Sequence, residues 1–179
     1  MKFIISLIIL FTSYSLSLAQ DVSKNNHEIK WLSFEEAIKK NETEPKKFLI
    51  DVWTTWCGWC KKMDATTFQD PKIIELINKN FHPVKLNAER KDSVFIGGQL
   101  FINENPTARR SAHQLAISLL NGKMTYPSIV YLDEQVNMLQ PIAGYQDPKS
   151  IEPILLFFGE DIYKTTDWAT YQTQFKSSY

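Results

Sequence analysis

Residues 50–61 read IDVWTTWCGWCK and contain both cysteines of the chain, Cys57 and Cys60, the first of them six residues after Asp51, an acid in an apolar run. The segment Lys47–Trp53, KFLIDVW, is apolar beyond its first residue except for Asp51, the pattern of a central parallel strand covered on both faces. From Cys57 to Met63 the pattern turns helical. A CxxC at such a strand-to-helix junction puts Cys57 at a helix N-terminus, where free N–H groups and the positive end of the dipole favour a thiolate. Cys57 is therefore the candidate nucleophile. Cys60 follows three residues later on the same face, one turn deeper and within disulfide reach, and is the candidate resolving thiol. Three other readings of the pair stay open: an inert structural disulfide, half of an intermolecular zinc site, and two unrelated buried thiols. So short a loop constrains the unfolded chain little, which weakens the first of these.

Upstream, Ser33 and Glu36 form a capping-box pattern before Phe34, Ala37 and Ile38, so a short helix is expected, ending in the turn region from Lys39 to Pro45. Downstream, Asp70-Pro71 interrupts the helical pattern, which resumes through Ile73, Ile74, Leu76 and Ile77 to Asn80. Phe81–Asn87 reads as the next strand. The stretch Ser93–Ile102 forms two β-rich runs around Gly97-Gly98, a hairpin signal. A helix is expected over Ala108–Leu120, closed by Asn121-Gly122. Ser128–Leu132 and Met138–Ala143 read as a strand pair, and Pro148–Phe158 as a long helix. In the tail from Gly159 to Tyr179, Trp168, Tyr171 and Phe175 fall at helical spacing behind a cap at Asp167, an aromatic face to lay on the body. The order is βα units followed by an antiparallel hairpin.

A chain of 179 residues with 44% hydrophobic residues holds one globular domain. Its 20 Lys+Arg balance 20 Asp+Glu, with no basic run, which removes nucleic acid as a partner. Two cysteines exclude both a multi-disulfide scaffold and a self-contained four-cysteine zinc site. His27, His82 and His113 are scattered, and none is assigned to a metal. Residues 1–19, MKFIISLIILFTSYSLSLA, combine basic Lys2, an apolar run from Phe3 to Phe11, and small residues at Ser17 and Ala19, the layout of a secretory signal peptide cut after Ala19. Thr12, Ser13, Ser15 and Ser17 break the apolar run before the roughly 18 residues that a membrane span needs. Polar residues 20–30 read as a linker, with order expected from near Trp31. The protein is accordingly expected outside the cytosol, in a periplasm or secreted.

Over roughly Trp31–Phe158 the sequence resembles the thioredoxin family. The stretch IDVWTTWCGWCK looks like that family's strand-to-active-site segment, with Asp51 at the position of its buried acid and Lys85, in KLN, where a lysine stands near that acid. Tyr126-Pro127 before Ser128–Leu132 matches the cis-proline loop, and Gly144 matches a glycine after the last strand. The continuation KKMDATTFQDPKIIELINKNF is similar to exported thioredoxin-like domains of bacterial envelopes, including the C-terminal domain of the reductant transporter DsbD. The resemblance implies an α/β thioredoxin fold: a central mixed β-sheet flanked by helices, here with an insert at 88–106 carrying the hairpin and a short C-terminal helical extension at 159–179.

It also implies roles. Asp51, its pKa raised by burial, would take the proton of Cys60, with Lys85 and Pro127 supporting the site. Trp56, Gly58, Trp59 and the backbone of Tyr126 would contact the substrate. Gly58-Trp59 replaces the Gly-Pro of classical thioredoxin, so the redox potential does not carry over. The expected activity is reduction of disulfides in exported proteins, with no cofactor beyond the redox-active Cys57–Cys60 pair and with electrons from an upstream thiol reductant of the DsbD type. An oxidase or isomerase using the same residues, and a non-catalytic peptide-binding or chaperone module, remain as alternatives. No pattern specifies an oligomeric state.

Overall fold

The computed structural model describes residues 28–179. Residues 1–27, with the expected signal peptide, most of the linker and His27, lie outside the described residues. In chain order the elements are α1 (Phe34–Asn41), β1 (Lys47–Trp53), α2 (Gly58–Ala65), α3 (Pro71–Asn80), β2 (Phe81–Asn87), β3 (Val94–Ile96), β4 (Gln99–Phe101), α4 (Gln114–Leu119), β5 (Ser128–Leu132), β6 (Met138–Ala143), α5 (Pro148–Gly159) and α6 (Trp168–Gln174). Four strands form one sheet in the order β2-β1-β5-β6, with β3 and β4 as a separate pair. β1 runs parallel to β2 and antiparallel to β5, and β5 is antiparallel to β6, giving the expected mixed sheet.

Side chains alternate across β1, and both of its faces are covered. Phe48, Ile50 and Val52 point with Val84, Leu86 and Val130 toward Phe34 and Ala37 of α1 and Leu115 and Ala116 of α4. Leu49 points the other way and joins Ile129 and Tyr131 against Ile73 and Ile77 of α3 and Ile151 and Leu155 of α5. Each such side chain taken from water contributes about 1.5–3 kcal/mol, so β1 is held on both faces and is a rigid platform for the turn that carries the cysteines. Helix starts are fixed by side chains: Ser33 Oγ accepts from Glu36 N at 3.2 Å while Glu36 Oε2 accepts from Ser33 N at 2.8 Å. Asp70 Oδ1 likewise accepts from Lys72 N and Ile73 N at 3.0 and 3.1 Å, which explains why the helical pattern breaks and restarts at Asp70-Pro71.

Packing reaches further back than Trp31, since Ile29 is buried in the α3/α5 core and Lys30 N donates to Asn78 Oδ1. The hairpin forms as the sequence indicates, with Phe95 opposite Leu100 and Gly97 and Gly98 at φ 60° and 79°, the left-handed pair that a two-residue hairpin turn requires. The helix expected over Ala108–Leu120 is shorter and begins only at Gln114. Two groups hold residues 103–113 away from helix. Buried Asn103 donates to the carbonyls of Arg90 and Ser111 and accepts from Ser111 Oγ at 2.6 Å. His113 caps α4 through Nδ1, which accepts from Leu115 N at 3.1 Å, so its Nε2–H donates to the Asp92 carbonyl.

The tail packs on the body. Trp168 and Tyr171 of α6 lie 5.0 and 5.2 Å from Phe157 of α5, and Phe175 lies 5.4 Å from Tyr171, centroid to centroid. Ser177 Oγ then donates to the buried Glu152 carboxylate at 2.6 Å. Replacing Tyr171 by Ala is expected to cost about 2–4 kcal/mol in urea unfolding. An unchanged midpoint would mean that the tail is not part of the cooperative unit.

Candidate active site

β1 ends at Trp53, and the chain leaves the sheet through Thr54 and Thr55 before α2 starts. Cys57 is the N-cap of α2, in extended backbone, and its Sγ accepts from Cys60 N at 3.0 Å. The two cysteines are joined as a disulfide. Cys57 keeps 6% of its surface exposed and Cys60 2%, so an incoming sulfur meets Cys57 first. Once reduced, Cys57 lies against the unpaired N–H groups of the helix start, which favour its thiolate.

Asp51 sits on β1, opposite Lys85 of β2 in the parallel register. Only 1% of it is exposed, and Lys85 Nζ donates to its Oδ2 at 2.5 Å. The same ammonium also pairs with Asp64 of α2, and it lies 4.9 Å from the Trp31 ring centroid. Through Lys85, Asp51 is tied to the turn of α2 that comes after Cys60. Asp51 Oδ1 has no hydrogen-bond partner among the described residues, which leaves it able to receive a proton. Burial pushes the Asp51 carboxyl up to about 6, against the opposing pull of the Lys85 ammonium and with a small push from the Asp64 charge.

The rim is aromatic. Trp56 and Trp59 are 45% and 57% exposed, on either side of Cys57. Trp56 meets Tyr126 edge-on at 5.7 Å, its Nε1–H donates to Glu89 Oε1 at 3.0 Å, and the Arg110 guanidinium lies 4.4 Å from its ring centroid. Trp59 packs on Tyr145 at 5.4 Å, with Lys62 Nζ 4.8 Å from its centroid. Burial, aided by the Glu89 charge, pushes the Tyr126 phenol up to about 12, so it remains a neutral donor. The Tyr126-Pro127 peptide is cis, and the Pro127 carbonyl accepts from Gly144 N at 2.8 Å, holding the loop beside β5 and β6. Gly58 is the first residue of α2 and exposed, with open space where a Cβ would stand.

The residues named from sequence therefore fall into two groups: Cys57, Cys60, Asp51 and Lys85 at the junction of β1, β2 and α2, and Trp56, Gly58, Trp59, Tyr126 and Pro127 around its mouth. Sequence reasoning missed Asp64, Glu89, Arg110, Lys62 and Tyr145. Asp64 carried a signal, standing four residues after Cys60 on the same helical face. The contacts of Glu89 and Arg110 cross from the 88–113 segment to Trp56 and left no local trace. Among the described residues, no group of three or more His, Cys, Asp or Glu is placed to hold a metal ion, and no helix is long and apolar enough to cross a membrane.

The profile of the Thioredox_DsbH family, described as "Protein of unknown function, DUF255", matches residues 10–145. The chain belongs to that family. The structure of a DsbH oxidoreductase superposes with a TM-score of 0.55 at 14% identity, covering 82% of this chain and 94% of that one, a likeness of fold. Spermatogenesis-associated protein 20 of Rattus norvegicus is 33% identical over 60 residues, which are 34% of this chain and 8% of that protein. The thiol:disulfide interchange protein DsbD of Campylobacter jejuni (strain RM1221) is 24% identical over 107 residues, 49% of this chain and 19% of DsbD. The chain thus spans less than a fifth of either curated relative. This Thioredox_DsbH-family protein has the thioredoxin fold with a CxxC disulfide at the start of α2.

The raised Asp51 has a thermodynamic consequence. Its folded form holds a proton that the unfolded chain has already released at the ordinary carboxylate range, so this group's stabilising contribution is full below that range and is lost as pH rises through about 6. Asp51→Asn is therefore expected to be more stable than the parent at pH 8 by about 1–3 kcal/mol, with the gap closing toward pH 4. Denaturant titrations at the two pH values check this, and equal gaps would contradict the burial account.

Proposed function

We propose that the protein is an exported thiol-disulfide oxidoreductase that reduces disulfides in envelope proteins. The observation that carries this reading is the Cys57–Cys60 disulfide capping α2 while Asp51, buried and one oxygen free, is tied to the next turn of the same helix. In the reduced protein the Cys57 thiolate attacks a substrate disulfide, forming a Cys57–substrate disulfide and releasing one substrate thiolate, which takes a proton from solvent. Asp51 accepts the Cys60 proton, the Cys60 thiolate attacks Cys57 Sγ, and the second substrate thiolate leaves and is protonated. Two electrons pass to the substrate, and the protein ends as the Cys57–Cys60 disulfide. Lys85 holds Asp51 in place, Pro127 and the Tyr126 backbone border the mouth, and Trp56, Gly58 and Trp59 receive the partner chain.

An upstream thiol protein must return the electrons. A membrane reductant of the DsbD type fits, supported by the stretch of similarity to DsbD and by the leader-like residues 1–19, which point to a periplasm. The residue environment favours reduction over oxidation. Gly58-Trp59 places no cation between Cys57 and Cys60, so that dipeptide adds no charge to stabilise the reduced form in the way that makes DsbA an oxidant.

The experiment is a trap. Cys60→Ala is expected to accumulate a mixed disulfide with a disulfide-bearing model protein, Cys57→Ser to accumulate none, and the parent to turn over, all read on non-reducing gels. Resolution in the parent is expected to slow as pH falls through about 6, where Asp51 takes up its proton, and Asp51→Asn is expected to lose that inflection and slow the step on the order of a hundredfold at pH 8. A Cys57→Ser protein as active as the parent would favour a thiol-independent binding module.

A further inference from the structure

The 88–113 segment reaches the site through one side chain. Arg110 is exposed, yet its guanidinium lies 4.4 Å from the centroid of Trp56, the residue immediately before the nucleophile. Its backbone is left-handed, φ 61°, a region that a non-glycine residue adopts only where its surroundings hold it. The holding groups are identifiable: the next residue, Ser111, is bonded to buried Asn103 through both its carbonyl and its hydroxyl, and His113 N donates to the Ala88 carbonyl at 2.7 Å. Arg110 is thus delivered to the rim of the disulfide by a stapled loop.

Across the mouth, Lys62 makes the matching arrangement over Trp59. Among the described residues neither Arg110 nor Lys62 has a carboxylate within ion-pair distance, whereas Lys85 and Arg90 nearby are fully engaged. Asp64 is paired with Lys85, whereas Glu89 accepts from the Trp56 indole and keeps its charge without forming an ion pair to Arg110. A guanidinium stacked on an indole keeps its in-plane N–H groups open, and these form the fork that binds a carboxylate through two parallel hydrogen bonds.

We propose that Arg110, on the loop that follows the insert, and Lys62 on α2 select disulfide partners whose cysteine is flanked by carboxylates, with Arg110 gripping one carboxylate side-on while Trp56 and Trp59 cover the partner's backbone. This rests on the oxidoreductase reading and names the partner chemistry of that same site. Arg110 lies over Trp56, immediately before Cys57, and Lys62 over Trp59, two residues after it, so an acidic segment docked on the two indoles meets both cations. The attraction is between exposed charges and weakens as salt is added.

The test uses three cyclic eight-residue peptides, each closed by one disulfide, with Glu-Glu, Gln-Gln or Lys-Lys beside one cysteine. Rates of reaction with the reduced protein are followed by indole fluorescence in stopped flow. The Glu peptide is expected to react about five- to tenfold faster than the Lys peptide at low ionic strength, with the ratio falling several-fold in 0.5 M salt. Arg110→Glu is expected to invert the ratio and Arg110→Lys to retain part of it, a pattern that loss of a structural prop would not give. Lys62→Glu is expected to lower the ratio independently. A parent ratio near one, or the same ratio in Arg110→Glu as in the parent, would overturn the charge selection while leaving the redox reading intact. Failure of all three peptides, the neutral one included, would overturn both.

Discussion

A carboxylate at position 51 has to leave water for β1 to run through the middle of the sheet, and the register of β1 against β2 sets Lys85 directly opposite it. The cost of that burial, opposed by the ammonium but not cancelled by it, is what lifts Asp51 toward neutrality. Lys85 is shared with Asp64, so the pair binds strand and helix together at the turn after Cys60. Position and proton affinity of the acid thus arise from one contact, and the chemistry of the site derives from where β1 had to be.

Around this fixed base the mouth is built from side chains that stay exposed. Trp56 and Trp59 would be liabilities on an inert surface, yet each is braced by a tyrosine from the sheet end and a cation: Trp56 by Tyr126 and the distant Arg110, Trp59 by Tyr145 and Lys62 of the same helix. The brace keeps two large apolar faces presented to a partner without letting them collapse onto the protein itself. A rigid interior with an open, ordered rim is the arrangement that a sulfur attacking another chain's disulfide requires.

The core of this arrangement was legible in the sequence where the signal was local. The apolar run of Lys47–Trp53, the CxxC after it, the Gly97-Gly98 turn and the aromatic spacing of Trp168, Tyr171 and Phe175 each rest on neighbours within a few residues. The features that escaped were non-local. Residues 108–113 carry a helical pattern, but Asn103 and His113 use their hydrogen bonds to hold that stretch as a loop, so α4 starts late. Arg110 and Glu89 converge on Trp56 from the far side of a segment whose path no periodicity encodes. The Asp51–Lys85 pair stood between these cases, legible only through the family resemblance, because a parallel register is invisible in a single strand.

A reversible, reducing dithiol served by a buried acid is the core of the proposed activity. Equilibrating the protein in dithiothreitol redox buffers and following Trp56 and Trp59 fluorescence measures its reduction potential directly. The expected result is a two-electron transition close to thioredoxin's, about −270 mV. A potential near DsbA's, about −120 mV, would contradict the reducing direction, and a pair that never closes into a disulfide in solution would contradict the proposed chemistry as a whole.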